Sequence, residues 1–291
     1  MFSTVSWNPW AVATDGASIT SNARRRTSDL RLEVGALICA ALAACTSAPT
    51  ERPLRLGTTF TVQQSGALAL LDSLHPPDSL ATVIAASGQV LQAAARGDLG
   101  VAITHAPSLE ERLLVIPGHA VRRCPFVASR FAVVGPASDP AAVARAASAV
   151  DAVTRIARAG ARFISRGDSS GTHVKELALW RAAGIAPQGK PWYVETGADQ
   201  AMTLHVADER SAYALADLPT LARTPGLELR ILFDRDTTLT NPYTLYVVRG
   251  PDSLRGAAFA TWAMTVWRHR LVQVTLPDGS AAFVLRSGGC S

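Results

Sequence analysis

The run Phe163-Ile164-Ser165-Arg166-Gly167-Asp168-Ser169-Ser170-Gly171-Thr172-His173 packs a strand end, a tight polar turn and a helix start into a few residues. The apolar strand ends at Ser165. A helical pattern starts at about Gly171 and runs to about Ala183, with Gly184 as its C-cap and Pro187 beyond. A strand that turns directly into a helix is the repeating unit of α/β folds, so this junction restricts the chain to that class. The turn gathers a guanidinium, several hydroxyls and the unpaired N–H groups of a helix start, a combination suited to a small ionised oxyanion.

The pattern recurs on both sides. Leu54 to Thr59 reads as a strand ending in hydroxyls, Ala67 to Leu74 as a helix, Ala81 to Ala86 as a strand and Gly88 to Arg96 as a helix. Val101 to Thr104 reads as a buried strand. Further on, Phe126 to Gly135 reads as a long strand and Asp139 to Ala159 as an Ala-rich helical stretch. Strands follow at Trp192–Glu195, Ser211–Leu215, Leu227–Phe233 and Thr244–Val248, with helices from Gly197 to Val206, from Asp217 and from Ser253 to His269. The extended crossings near 126–135 and 240–248 imply a chain that leaves one lobe, builds a second and returns. Small-molecule sites often lie between two such lobes.

The 291 residues, 48% hydrophobic and 18% charged, suffice for one large core or two smaller ones. The formal charge is +5, of which one unit sits before Cys45 (four arginines against three acids). No Lys/Arg block with interleaved aromatics follows, which argues against nucleic-acid binding. Arg24, Arg25, Arg26 and Arg31 precede a short apolar stretch, Val34 to Ala44, too short to span a bilayer. Its end, Leu42-Ala43-Ala44-Cys45, resembles the lipobox of bacterial lipoproteins. That resemblance implies a leader over 1–44 that is cut before Cys45, acylation of Cys45, and a polar tether over 45–53. Residues 1–22 read as neither leader nor domain, one explanation being a start codon set too far upstream. Cys124 and Cys290 remain after cleavage. A disulfide between them and two separate thiols both stay open, and neither has zinc-ligand spacing.

Several ordered stretches carry a wider resemblance: Thr58-Thr59 with Ser65-Gly66, Phe131 to Pro136, Phe163 to His173, Lys175-Glu176-Leu177 with Leu179-Trp180, Trp192 to Gly197, and Asn241-Pro242-Tyr243. Over roughly 54–250 the chain resembles the periplasmic tungstate-binding proteins of ABC importers, within the type II periplasmic-binding family. The resemblance implies an α/β, two-lobed fold with two mixed-sheet lobes joined by a two-strand hinge. Lobe 1 is expected over 54–128 plus 242–291, and lobe 2 over 129–241. It implies a non-enzymatic, cofactor-free monomer outside the cytoplasm. That protein captures tungstate, or alternatively molybdate, and hands it to a permease and ATPase. Thr58, Thr59 and Thr61 would line the site from the first lobe, and Arg166, Ser170, Gly171 and Thr172 from the second. A metal enters this reading only as part of the oxyanion.

Two departures stand out. Phe60 interrupts the family's run of threonines, with Thr61 in the place of its serine. Ala198-Asp199-Gln200-Ala201-Met202 replaces a glycine-rich turn, and an acid at Asp199 facing the cleft would oppose an anion. Asp168 reads as a turn or N-cap residue, although an acid in the site would favour hydrogen phosphate. His173 reads as exposed and His105 as a packed or hinge residue. Trp180, Trp262 and Trp267 read as core. Phosphate or sulfate as ligand, and an anion-sensing lipoprotein, remain alternatives. The rival from another class is a serine hydrolase with a serine of 165–170 as nucleophile and His173 as base, though no nucleophile-elbow pattern is present.

Overall fold

The computed structural model describes residues 52–291. The proposed leader, Cys45 and most of the tether lie outside the described residues.

Ten strands form one sheet, eight of them in a path β2 (Leu80–Ala85), β1 (Leu54–Thr59), β3 (Val101–Thr104), β9 (Thr240–Val248), β4 (Ala120–Gly135), β7 (Tyr213–Asp217), β5 (Phe163–Ser165), β6 (Tyr193–Glu195), with β8 (Arg230–Phe233) and β10 (Val284–Leu285) also paired to β4. The first half holds β1 (Leu54–Thr59), β2 (Leu80–Ala85) and β3 (Val101–Thr104), all parallel. Every residue of β3 is buried, as a strand covered on both faces requires. The second half holds β5 (Phe163–Ser165), β6 (Tyr193–Glu195) and β7 (Tyr213–Asp217), again parallel, with β8 (Arg230–Phe233) at one side. Two long strands run through the middle. β4 (Ala120–Gly135) pairs antiparallel with β9 (Thr240–Val248) as far as Arg130, then with β7 from Phe131. β10 (Val284–Leu285) adds a short edge pairing to β4.

The helices follow the strand ends. α1 (Phe60–Gln64) and α2 (Ala67–Ser73) follow β1, and α3 (Ser87–Ala95) follows β2. α4 (Pro107–Glu110) continues into a π turn at Glu111–Val115. α5 (Ala149–Ala159) precedes β5, α6 (Gly171–Ala182) follows it, α7 (Gln200–Glu209) follows β6 and α8 (Leu218–Ala222) follows β7. α9 (Ser253–Trp262) passes through a π turn at Ala263–Trp267 into α10 (Arg268–Leu271). α5 shows why these segments are helical: Ala149, Ala152, Val153 and Ile156 form one buried stripe. Ser148 accepts from the Asp151 N–H at its start, and Gly160 leaves it at φ 57°.

The structure shifts several sequence expectations. The Ala-rich stretch is helical only from Ala149. The Asp139 carboxylate instead takes the N–H groups of Val143 and Ala144, folding 136–148 into turns. β9 includes Pro242, which cannot donate to a ladder. The β4–β9 register slips between Pro125 and Ala128, where Ala128 opposes Pro242, so the irregularity absorbs the missing donor. Residues 60–64 form a helix where sequence showed only a polar link.

Trp267, Phe126 and Phe259 anchor one core, and Trp180, Phe163 and Tyr213 another. Trp180 and Trp267 are buried as expected, whereas Trp262 is only partly so. Cys124 and Cys290 are bonded, and Arg123 and Ser291 exchange both backbone hydrogen bonds beside them. The bond resolves the two cysteine readings in favour of the bridge and ties the chain's last residues to β4.

Candidate anion-binding site

On the first half of the sheet, β1 delivers Thr58 and Thr59 to the end of the parallel strands. Both are buried, and Thr61 follows buried in α1. Thr59 is the N-cap, its Oγ1 accepting from the Val62 N–H at 3.4 Å. A hydroxyl that accepts in this way keeps its proton for a ligand. The hydroxyls of Thr58 and Thr61 are buried with no partner among the described residues. β2 ends similarly. Ser87, the first residue of α3, is buried with an unpartnered Oγ. Sequence reasoning did not single out Ser87. The signal was present, since Ala85-Ala86-Ser87-Gly88 repeats the strand, hydroxyl and helix-start order. β3 leads to His105, buried with its ring stacked on Tyr243.

On the other half, β5 leads into Arg166, whose side chain is 2% exposed. Its Nη2 is ion-paired with Asp168, while Nε and Nη1 have no partner among the described residues. Burial lowers the Arg166 pKa, with Asp168, Asp199 and Asp217 acting in the opposite sense. An arginine guanidinium stays charged at pH 7. Gly167 and Ser169 both take positive φ, which bends the turn sharply. Ser170 caps α6, its Oγ accepting from the His173 N–H at 3.2 Å. Thr172 is buried, with Oγ1 unpartnered. Asp168 is a turn residue: Oδ1 accepts from the Ser170 N–H at 3.1 Å while Oδ2 meets Arg166.

His173 departs from expectation. It is buried rather than exposed, because its Nδ1 accepts from the Ser169 N–H at 3.1 Å and draws the ring back over the turn. Behind the turn, the Glu176 carboxylate accepts from Ser165 Oγ at 2.7 Å, Tyr193 OH at 2.7 Å and Trp180 Nε1 at 3.0 Å. Desolvation pushes Glu176 up to about 7 against those donors.

Several contacts join the halves. The Gly88 N–H donates to the Ser169 carbonyl at 3.3 Å. Gln64 Oε1 accepts from the Ala201 N–H at 3.2 Å. A Cβ placed on Gly171 would sit 2.4 Å from His105 Nδ1 and 2.5 Å from the His105 carbonyl oxygen. Gly171 is therefore pressed directly against the end of β3. The site is a closed set of buried polar atoms rather than an open cleft. A cleft of about 360 Å³ lies elsewhere, by Ser65, Arg223 and Pro277. Among the described residues no cluster of three or more His, Cys, Asp or Glu is placed to hold a metal ion.

Donors at the C-terminal ends of parallel strands and at helix starts, facing each other from two sheet halves, match the general placement of ligands in open α/β folds. Relatives agree. A profile of the PBP superfamily domain matches residues 44–266. A putative ABC transporter anion-binding protein of Haloferax volcanii is 40% identical over 67% of this chain, which spans 59% of that relative's length. The tungstate-binding protein TupA of Peptoclostridium acidaminophilum is 37% identical over 72% of this chain and 77% of its own. Among solved structures, the tungstate ABC transporter protein from Geobacter sulfurreducens is 37% identical, with a TM-score of 0.60 over 78% of this chain and 95% of its own. These matches, with the mixed sheet and the paired halves, place the chain in the PBP superfamily, with the two-lobed α/β fold of periplasmic binding proteins.

Proposed function

We propose that the chain is an extracytoplasmic solute-binding protein that captures a tetrahedral oxyanion, tungstate first and molybdate as the alternative, between two lobes for ABC import. The observation that carries this is the set of buried unpartnered donors: the hydroxyls of Thr58, Thr61, Ser87 and Thr172 and two nitrogens of Arg166. Each such atom costs about 1–3 kcal/mol when left alone, so the group as a whole favours a state holding a multivalent acceptor. Thr59 and Ser170 retain hydroxyl protons to add, and the Gly171 backbone heads the helix at the site.

The donor set also speaks to which anion. Hydrogen phosphate needs an acceptor for its proton, whereas tungstate, molybdate and sulfate only accept. Asp168 Oδ1 and Oδ2 each hold a donor of their own turn, the Ser170 N–H and the Arg166 guanidinium, which ties the carboxylate to the loop. The hydrolase alternative loses its nucleophile–base pair. Ser165 Oγ donates to Glu176, and the His173 Nδ1 lone pair is taken by a backbone N–H. No serine hydroxyl meets a histidine ring among the described residues.

The reading extends to lobes over 54–128 plus 242–291 and over 129–241, supported by the change of β4 partners between Arg130 and Phe131. Lipidation at Cys45, a permease and ATPase as partners, and a monomeric protein complete it. The Cys124–Cys290 disulfide is consistent with an oxidising compartment. Among the described residues no helix is long and apolar enough to cross a membrane. Calorimetry with tungstate, molybdate, sulfate and phosphate tests the reading. Tungstate is expected to bind, and Arg166→Ala to abolish binding. Equal heats from wild type and variant would refute the site.

A further inference from the structure

We propose that His105 is the proton-accepting group of this site: its Nε2 takes up a proton from the solvent buffer as the oxyanion binds, and the new Nε2–H then donates to an anion oxygen. The inference rests on the oxyanion reading above.

The argument begins at Asn241. Its Nδ2 lies 2.9 Å from Asp217 Oδ1, 3.1 Å from Ser129 Oγ and 3.0 Å from Tyr243 OH. This acceptor-rich surrounding fixes the amide so that Oδ1 faces the histidine. His105 Nδ1 lies 2.8 Å from that oxygen and is therefore the nitrogen that carries the hydrogen. In the neutral ring Nε2 is then a bare lone pair. It is buried and has no partner among the described residues. The ring lies against Gly171, the first residue of the helix at the site, with the glycine's Cβ position 2.5 Å from Cε1, the carbon bonded to Nε2.

The unpartnered hydroxyls and the guanidinium can all donate to an anion, whereas a bare Nε2 opposes one. Protonating Nε2 removes that conflict without moving the ring, because Nδ1 keeps its hydrogen and its partner throughout. Before binding, burial, partly offset by Asn241, holds His105 down at about 4, so the ring enters the encounter neutral. The charged groups felt by the ring are Arg166, which disfavours a second positive charge, and Asp168, which favours it. Glu110 flanks the ring's own segment, bonded to Thr104 and Ala106, and Asp217 stands behind Asn241. An incoming dianion adds two negative charges on the Gly171 side, so the bound state favours the imidazolium.

Titration calorimetry with sodium tungstate at pH 7, in two buffers of unlike ionisation enthalpy, reads the proton directly. Wild type is expected to show buffer-dependent heats corresponding to uptake of up to one proton. Its Kd should rise by up to tenfold per pH unit from pH 6 to 8. His105→Gln places a neutral amide donor near Nε2. It should bind with no buffer dependence and no pH slope. Equal wild-type heats in both buffers with a flat Kd overturn the proposal without requiring any variant, and so does a His105→Gln protein that still takes up the proton. If wild type binds none of the oxyanions, the oxyanion reading itself falls, and this inference with it.

Discussion

Gly171→Ala tests closure through the contact between Gly171 and His105. Gly171 heads α6 with an ordinary backbone angle, so alanine is sterically allowed there and is intrinsically the better helix residue. The new methyl would nevertheless stand 2.4 Å from His105 Nδ1 and 2.5 Å from both Cε1 and the His105 carbonyl oxygen. Ordinary contact needs about 1 Å more. The ring cannot swing away without giving up Asn241, and the carbonyl belongs to the backbone at the end of β3. The strain is relieved by separating the two halves by roughly that ångström, which also stretches the Gly88–Ser169 hydrogen bond.

Overpacking of this kind costs about 1–3 kcal/mol. The cost falls on the closed state alone, because His105 and Gly171 belong to different halves of the sheet. A ligand that must drive closure then loses that amount, and Kd for tungstate should rise about 5- to 150-fold. The open, ligand-free protein should keep its melting temperature or gain slightly. Calorimetry and thermal melts of wild type and variant, with small-angle scattering to follow compaction on tungstate addition, form the assay. A variant that binds within twofold of wild type and compacts to the same radius would refute the reasoning, since the halves would not have to meet at Gly171.

Two titrating groups make opposing contributions to stability. Glu176, raised to about 7, keeps its proton when folded and loses it when unfolded, so stability falls as pH rises toward 7; His105, lowered to about 4, does the reverse below its ordinary value near 6.5. Glu176→Gln should therefore unmask a rise in melting temperature between pH 4.5 and 6.5 that wild type largely hides, each slope reaching about 1.4 kcal/mol per pH unit; coincident pH–melting curves would count against both assignments. Reducing the Cys124–Cys290 bond, which closes a sequence separation of 166 residues, should lower stability by about 2–5 kcal/mol in denaturant titrations and leave tungstate affinity nearly unchanged.

Strand and helix existence was legible because the apolar runs are bounded by glycines, prolines and hydroxyls. Val101–Thr104 matched the structure at both ends, and the junction at Ser165 and Gly171 fell as read. Stretches without such punctuation were not legible. In the Ala-rich segment helix propensity is high throughout, and only the Asp139 side chain decides where the backbone turns instead. His173 looked exposed because α6 carries it on the first turn. Its burial depends on a ring-to-backbone hydrogen bond that periodicity does not encode.

The replaced glycine-rich turn shows most clearly how local chemistry redirects a site. Asp199, an acid that would oppose the anion if it faced the cleft, caps α7 through the Met202 N–H at 2.9 Å. Gln64 reaches across from the other half to take the next free amide, that of Ala201. Glycine amides that would stand open in such a turn are thus occupied here by this chain's own side chains. The negative charge of Asp199 is still felt by Arg166, but its lone pairs are partly committed to the helix start. On the proposed oxyanion reading, selection of the anion rests on the threonine, serine and arginine donors together with His105, and the Gln64–Ala201 hydrogen bond links α7 to the other half. A glutamine in the first half that caps a helix in the second gives closure a hydrogen bond that does not involve the ligand, so part of the closing free energy belongs to the protein itself.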